Sequence, residues 1–185
     1  MKEGVRIAAV TSGPIKKGVE AKLRNTQIVA VIGSKKGIEG ILSSKVSVDG
    51  SDSTKKIISM IKRSRFREQV KAIALNGIAI AGLNVVDIEE LNRKLRCQTI
   101  LLTRKRPRRS LLIQSIRNAC INTEEKARKI SMLKKQGDIR KVGGFYIQAY
   151  PDTDVKNVLN ASAELLRLSH MIASGISKGE SMGRI

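Results

Sequence analysis

The chain has 185 residues, of which 41% are hydrophobic, enough for one domain with a buried core. It carries 36 Lys and Arg against 16 Asp and Glu, a formal net charge of +20, and this one-sided excess favours a polyanionic partner, DNA or RNA, over a heat-adapted surface. Aromatic residues make up only 2%, which argues against a protein that binds single strands by stacking bases on rings.

The first three predicted strands follow one another directly along the chain. They are Val5–Val10, Gln27–Ile32 and Ile38–Val48. Turn residues at 11–14 end the first strand, and a basic connection, Ile15–Asn25, leads to the second. The loop Gly33–Gly37 is so short that the second and third strands are predicted to be antiparallel.

A strand, a turn and a helix are predicted between Lys71 and Leu95. The apolar run Ala72–Leu75 breaks at Asn76 and Gly77, and helical spacing begins at Leu83. This succession is typical of an open α/β sheet, in which ligands bind beyond the carboxyl ends of the strands. Asn76, Gly77 and Asn84 are therefore expected near a site, unless Asn76-Gly77 is only a turn and Asn84 only a helix cap.

The remaining predicted elements complete a sheet that is flanked by helices. The strands are Gln98–Thr103 and Val142–Tyr150, the second with a bulge or sharp bend at Gly143-Gly144. The helices are Thr54–Phe66, Leu111–Ile121, Glu124–Gln136 and Val155–Ser174, the last in one or two pieces. Asp52 is the predicted N-cap of the first of these helices, with Ser53 and Thr54 as alternatives. Helical crossovers make the fourth and fifth strands parallel to the first. The order predicts an α/β, ribonuclease H-like mixed sheet of five or more strands in a single domain, 1–185.

Cysteine usage and hydropathy predict a cytoplasmic protein with no membrane partner. Cys97 and Cys120 lack the spacing of a metal site and fit a reducing compartment. No apolar run has the length of a signal peptide core at the start of the chain, or of a membrane span elsewhere.

Several motifs resemble one uncharacterised archaeal family, the domain of unknown function 99 family, which is distantly similar to endonuclease V. The motifs are VDGSDST at Val48–Thr54, LNGIAIAGLNVVDI at Leu75–Ile88, TRKRP at Thr103–Pro107, RIAAVTSGPI at Arg6–Ile15 and LLRLSHMIASGISKGESMGR at Leu165–Arg184. The resemblance implies an endonuclease V-type fold and carboxylates that hold Mg²⁺ to activate water at a phosphodiester.

The chain departs from that metal-binding pattern at three positions. Thr11 and Ser12 stand where the family typically has a pair of Asp residues, and Asn76 stands where an endonuclease V-like nuclease would have an Asp at the end of the fourth strand. Asp49 and Asp52 remain as candidate catalytic residues and Mg²⁺ ligands. The alternative is that Asp49 closes a turn and Asp52 caps a helix.

Basic residues form two further candidate sites. The first is the cluster after the fifth strand, which would grip phosphates or be only a solvated loop: Arg104, Lys105, Arg106, Arg108 and Arg109. The second lies on the predicted helix Glu124–Gln136 and is interpreted as a solvated face: Lys126, Arg128, Lys129, Lys134 and Lys135. His170 is interpreted as a helix residue bonded to a neighbour, with a catalytic base as the alternative.

Three functional hypotheses follow. The first is a nucleic-acid-binding protein on an endonuclease V-like scaffold whose metal site has eroded at Thr11, Ser12 and Asn76. The second is an active Mg²⁺-dependent endonuclease that uses Asp49 and Asp52. The third is a protein-interaction module without enzymatic activity. The substrate, the oligomeric state and the choice between DNA and RNA stay open.

Overall fold

A computed structural model describes residues 5–15, 25–120, 122–134, 137–152 and 154–180. The strands are β1 Arg6–Ser12, β2 Asn25–Ser34, β3 Gly37–Ser47, β4 Val70–Leu75, β5 Ala79–Ile80, β6 Asn84–Val85, β7 Gln98–Thr103, β8 Arg140–Val142 and β9 Phe145–Tyr150. The helices are α1 Ser53–Lys62, α2 Ile88–Leu95, α3 Arg109–Ala119, α4 Thr123–Lys134 and α5 Lys156–Lys178. None of the helices in these ranges is long and apolar enough to cross a membrane.

Seven of the strands form one mixed sheet in the order β3-β2-β1-β4-β7-β9-β8. β2 is antiparallel to both β1 and β3, while β4 is parallel to β1 and β7 is parallel to β4. β1, β3, β4 and β7 therefore all end at the same side of the sheet, which we call the carboxyl edge. This is the ribonuclease H-like arrangement, and the predicted fold class is confirmed; β8 and β9 extend the sheet from five to seven strands.

Two apolar cores lie on opposite faces of the sheet. Ala8 and Val10 of β1 face the core that contains residues of α1 and α2, while Ile7 and Ala9 face the core that contains residues of α5. Because both faces of β1 are covered, its sequence is a continuous apolar run rather than an alternation. The same reason accounts for the apolar run in β4.

The helix predicted from Leu83 is wrong, because residues 79–85 form a separate hairpin of β5 and β6. Ala81 and Gly82, with φ of +51° and +83°, lie in the three-residue turn between these strands. α2 begins only at Ile88, where the Asp87 carboxylate accepts a hydrogen bond from the Glu90 N–H at 3.0 Å. Acidic residues in the first turn then favour this later start.

Other predicted boundaries also change. The first strand extends two residues beyond its predicted end at Val10. Thr11 and Ser12 are the last residues of β1, and they pair with Val29 and Ile28 of β2. The strand predicted at Val142–Tyr150 is a hairpin of β8 and β9, because the turn at Gly143-Gly144, with φ of +56° and +80°, reverses the chain. The last predicted helix is one unbroken element, α5.

Several predictions fall wholly or partly outside the described residues. They concern the connection at 16–24, the last residue of the helix predicted at 111–121, the end of the next predicted helix at 135–136 with the candidate Lys135, and the tail at 181–185.

Candidate nucleic-acid interface

Four loops meet at the carboxyl edge, because each follows a strand that ends there. They are residues 13–15 after β1, 48–52 after β3, 76–87 after β4 and 104–108 after β7. The sheet topology therefore brings to one edge the predicted site residues of the 48–52 loop, the Asn76 turn and the basic cluster.

The basic loop, residues 104–108 together with Arg109, projects cations from this edge. Arg104, Lys105, Arg106 and Arg108 are exposed, and the Thr103 hydroxyl donates to the Lys105 carbonyl oxygen at 2.8 Å, which fixes the start of the loop. The Arg104 guanidinium carbon lies 6.0 Å from the Phe145 ring centroid. Four exposed cations therefore lie close together on one short loop.

Arg109 has a different environment from the other cations of the loop. It is half-buried, and its Nη2 donates to the Gly137 carbonyl oxygen at 2.9 Å. Gln148 of β9 donates to the same oxygen at 2.8 Å. Arg109 therefore anchors the start of α3 to the chain beyond α4.

A cavity of about 240 Å³ opens between the basic loop and the ends of β4 and β7. Its walls include Ile78, Leu101 and Leu112, with Tyr146 and Gln148 from β9. Gly77 lies at its rim with φ of +85°. Mostly apolar walls with a few polar groups are typical of a ligand cleft at the carboxyl ends of parallel strands.

Asp49 is held in the turn that follows β3. Its φ is +56°, its N–H donates to the Ala81 carbonyl at 2.9 Å, and its Oδ1 accepts from the Leu83 N–H at 2.8 Å. Its own carbonyl oxygen accepts a hydrogen bond from Lys129 Nζ at 2.8 Å. The Asp49 carboxylate thus joins this turn to the β5–β6 hairpin.

Asp52 is held by Ser47 and Asn84. Its carboxylate accepts from the Ser47 N–H at 3.2 Å, from the Ser47 hydroxyl at 3.3 Å and from Asn84 Nδ2 at 2.8 Å. Asp52 occupies the N-cap position of α1 but makes no side-chain capping bond. The predicted N-cap position is therefore confirmed, but the side-chain capping bond comes from Asn84 Oδ1, which accepts from the Ser53 N–H at 3.1 Å.

The three positions that lack Asp have different environments. Thr11 is buried, with its hydroxyl 3.0 Å from that of Ser169 on α5, whereas Asn76 is exposed. The Ser12 hydroxyl accepts from the Ala81 N–H at 3.1 Å, so the β5–β6 hairpin lies against the end of β1.

The oxygen ligands at this edge do not fit a catalytic Mg²⁺ ion. Thr11, Ser12 and Asn76 supply only neutral oxygens. The carboxylates of Asp49 and Asp52 already accept internal hydrogen bonds. Mg²⁺ in nucleases is held through carboxylates. Within the described ranges, no group of three or more His, Cys, Asp or Glu residues could hold a metal ion.

The sequence predicts that Lys129 lies on a solvated helix face, and that prediction is wrong. The side chain is 1% exposed, and its Nζ lies 2.8 Å from the Asp49 carbonyl oxygen and 3.1 Å from Glu125 Oε1. Glu125 also accepts a hydrogen bond from the Ser51 hydroxyl. This hydrogen bond is the main reason that the pKa of Glu125 lies below its usual value. Burial raises that pKa, whereas Lys129 and Arg128 lower it further. Lys129 and the buried Leu133 lie four residues apart and so share one face of α4; the apolar Leu133 on that face was the one sequence signal for burial.

His170 lies within α5 and is half-buried. Its Nε2 lies 3.5 Å from the Ser174 hydroxyl, one helical turn later. This is the contact with a neighbour that the sequence predicted.

Comparison with known proteins gives one family. The family model described as endonuclease dU matches residues 3–177. A UPF0215 protein of Archaeoglobus fulgidus is 36% identical over 155 residues, which cover 80% of this chain and 83% of that protein. A crystal structure of a protein of unknown function from A. fulgidus superposes with a TM-score of 0.76 and 29% identity, over 93% of this chain and 98% of that one.

A distant likeness is found to the crystal structure of human ENDOV, with a TM-score of 0.42 and 13% identity over 78% of this chain and 68% of that one. The matching descriptions are endonuclease dU and UPF0215. The label domain of unknown function 99 stays a prediction.

Proposed function

Because the chain belongs to the endonuclease dU family, we propose that it binds nucleic acid at the carboxyl edge and has lost the metal centre of a nuclease. The proposed contacts with phosphates come from the basic loop: Arg104, Lys105, Arg106, Arg108 and Arg109. The proposed eroded positions are Thr11, Ser12 and Asn76.

The position of the basic loop carries this proposal. Its exposed cations stand beside the cleft at the ends of β4 and β7, the place where open α/β sheets bind ligands. The formal net charge of +20 supplies a field that attracts polyanions to the whole molecule.

The neutral oxygens of the eroded positions support binding without cleavage. A metal-dependent nuclease needs carboxylates to hold the ion that activates water. The two candidate carboxylates, Asp49 and Asp52, each serve the local fold through hydrogen bonds to Leu83 or Asn84. In this proposal Asp49 and Asp52 have a structural role and take part in no hydrolytic step.

The binding test compares two double variants that remove the same charge. Arg104→Gln/Arg106→Gln alters the basic loop, while Lys35→Gln/Lys36→Gln alters the exposed β2–β3 turn at the opposite edge of the sheet. Duplex affinity is measured by fluorescence anisotropy over a salt series. We expect the loop variant to reduce the slope of log K against log salt by about 1.8, since each phosphate contact contributes about 0.9. Equal effects of the two variants would remove the support for this surface.

Cleavage is tested on single-stranded and duplex DNA and RNA, and on duplexes that contain deoxyuridine because the family is described as endonuclease dU. We expect no product with Mg²⁺ or Mn²⁺. Metal-dependent cleavage that Asp49→Asn abolishes would overturn the eroded site in favour of an active endonuclease. Asn at this position keeps an oxygen acceptor for the Leu83 N–H, so the variant removes charge with little structural change.

A further inference from the structure

A second groove lies at the carboxyl edge, on the other side of β1 from the basic loop. We call it the β1–α5 groove; it has a volume of about 430 Å³ and is bounded by the end of β1, the start of β2, the end of β3 and the last turn of α5. Its lining includes Asn25, Gln27, Lys45, Val48, Ile176 and Lys178. The contacts proposed for the basic loop do not involve this groove.

The lining combines charged, polar and apolar groups. Lys45 and Lys178 are exposed, so both ammonium groups can reach a bound anion. Ile176 is 59% exposed and offers an apolar surface beside the amides of Asn25 and Gln27. Ammonium groups next to a small apolar surface suit a phosphodiester chain, whose phosphates are anionic and whose sugars and bases have apolar faces.

Acidic side chains in the neighbouring loop are those of Asp49 and Asp52. Asp49 Oδ1 accepts from the Leu83 N–H, and the Asp52 carboxylate accepts from Ser47 and Asn84. These internal hydrogen bonds point the carboxylates toward the β5–β6 hairpin and the start of α1. Lys45 and Lys178 are therefore the charged groups that line the groove among the described residues.

The sheet order fixes the separation of the groove from the basic loop. Three to four strand spacings lie between β7 and the pair β2 and β3, or about 14–19 Å at about 4.8 Å per step. A duplex rises about 3.4 Å per base pair, so this separation corresponds to about four to six base pairs. The exposed Asn76 lies between the two surfaces, at the end of β4.

We propose that the β1–α5 groove is a second contact site for the nucleic acid that the basic loop binds. The bound molecule crosses the carboxyl edge from β7 to β3, with Lys45 and Lys178 on its phosphates and Ile176 against its sugars. This inference rests on the proposed function and adds the minimum length of the ligand and a second set of contacts.

The test uses Lys45→Gln/Lys178→Gln with two ligands of different length. One is a duplex of about twelve base pairs, which reaches both surfaces, and the other is a dinucleotide, which reaches only one. We expect the salt slope for the duplex to fall by about 1.8 and the dinucleotide affinity to stay unchanged within about twofold. The charge-matched control is again Lys35→Gln/Lys36→Gln.

A further variant, Ile176→Ser, separates apolar contact from charge. We expect it to weaken duplex binding several-fold without changing the salt slope, since it removes no phosphate contact. Both lysines and Ile176 are exposed, so these variants should fold as the wild type does.

The two proposals fail in different ways. If Lys45→Gln/Lys178→Gln binds the duplex like the wild type while the basic-loop variant binds poorly, the second site is wrong and the proposed function stands. If neither variant affects binding beyond the control, both are wrong. If the groove variant weakens dinucleotide and duplex binding equally, the groove is not a distal contact and the inference is overturned.

Discussion

Asn84 Oδ1 accepts a hydrogen bond from the Ser53 N–H at 3.1 Å, so the β5–β6 hairpin caps a helix that begins 31 residues earlier in the chain. The Asn84 Nδ2 group donates to the Ser47 carbonyl oxygen at 2.9 Å and to Asp52 Oδ1 at 2.8 Å. Asn84 is 0% exposed. One side chain therefore joins the end of β3, the start of α1 and the hairpin after β4.

Asn84→Ala should destabilise the protein strongly. The change removes the cap of α1 and leaves the Ser47 carbonyl and the Asp52 carboxylate without their amide donor. Loss of a cap together with unsatisfied buried groups corresponds to about 2–4 kcal/mol in the free energy of unfolding. Urea denaturation measures the change as a lower transition midpoint with an unaltered slope.

The control for Asn84→Ala is Asn76→Ala. Asn76 is exposed at the end of β4, and its replacement should change the free energy of unfolding by no more than about 0.5 kcal/mol. Equal destabilisation by the two changes would contradict the central role of Asn84.

The sheet could be predicted from the sequence because its strands are locally encoded. β1, β4 and β7 are short apolar runs bounded by turn residues, and helical crossovers fix their parallel directions. Those directions then place the loop at residues 48–52, Asn76 and the basic loop at one edge. The position of the candidate site thus follows from the order of the elements.

Much of the bonding of the site residues could not be predicted, because most partners are distant in the chain. Asp52 has the local pattern of an N-cap, yet Asn84 occupies that role through the hairpin. The hairpin itself was hidden because its apolar residues also fit a helical spacing. Lys129 was hidden by the charged residues around it, since burial of its ammonium depends on Asp49, 80 positions away.

Lys129→Met should lower the free energy of unfolding by about 1–3 kcal/mol. The apolar side chain fills the same space but leaves the Asp49 carbonyl oxygen and the Glu125 carboxylate without their cation. Glu125 is 36% exposed and stays partly hydrated, so the loss should be smaller than for a fully buried pair. Thermal and urea denaturation measure it. Lys134→Met, on an exposed position of the same helix, should have no measurable effect.

The contact between Ser51 and Glu125 should make stability depend on pH in the acid range. The pKa of Glu125 lies below its usual value of 4.5, with the Ser51 hydroxyl as the largest cause. The folded state therefore binds this proton less readily than the unfolded state. The resulting stabilisation is complete above the usual pKa and is lost as the pH falls through the folded pKa.

Ser51→Ala tests this linkage. The variant should be less stable than the wild type at about pH 6, and the difference should shrink as the pH falls below the usual pKa of 4.5 and Glu125 becomes protonated. Melting temperatures across this range measure the difference. A difference that stays constant at every pH would show that Ser51 contributes without favouring the ionised carboxylate.

The two cysteines should differ in reactivity in the folded protein. Burial raises the pKa of the Cys97 thiol to about 11, an effect that Lys71 only partly offsets, and the thiol donates to the Val70 carbonyl at 3.0 Å. At about pH 8 only about one molecule in a thousand then carries the Cys97 thiolate, which is the reactive form.

Cys120 is half-buried at the end of α3 and is open to reagent. Alkylation of the native protein followed by mass spectrometry should therefore add one group, at Cys120, and unfolding in urea should add the second. Cys120→Ser should leave the native protein almost unmodified. Equal labelling of both thiols before unfolding would show that the apolar core does not shield Cys97.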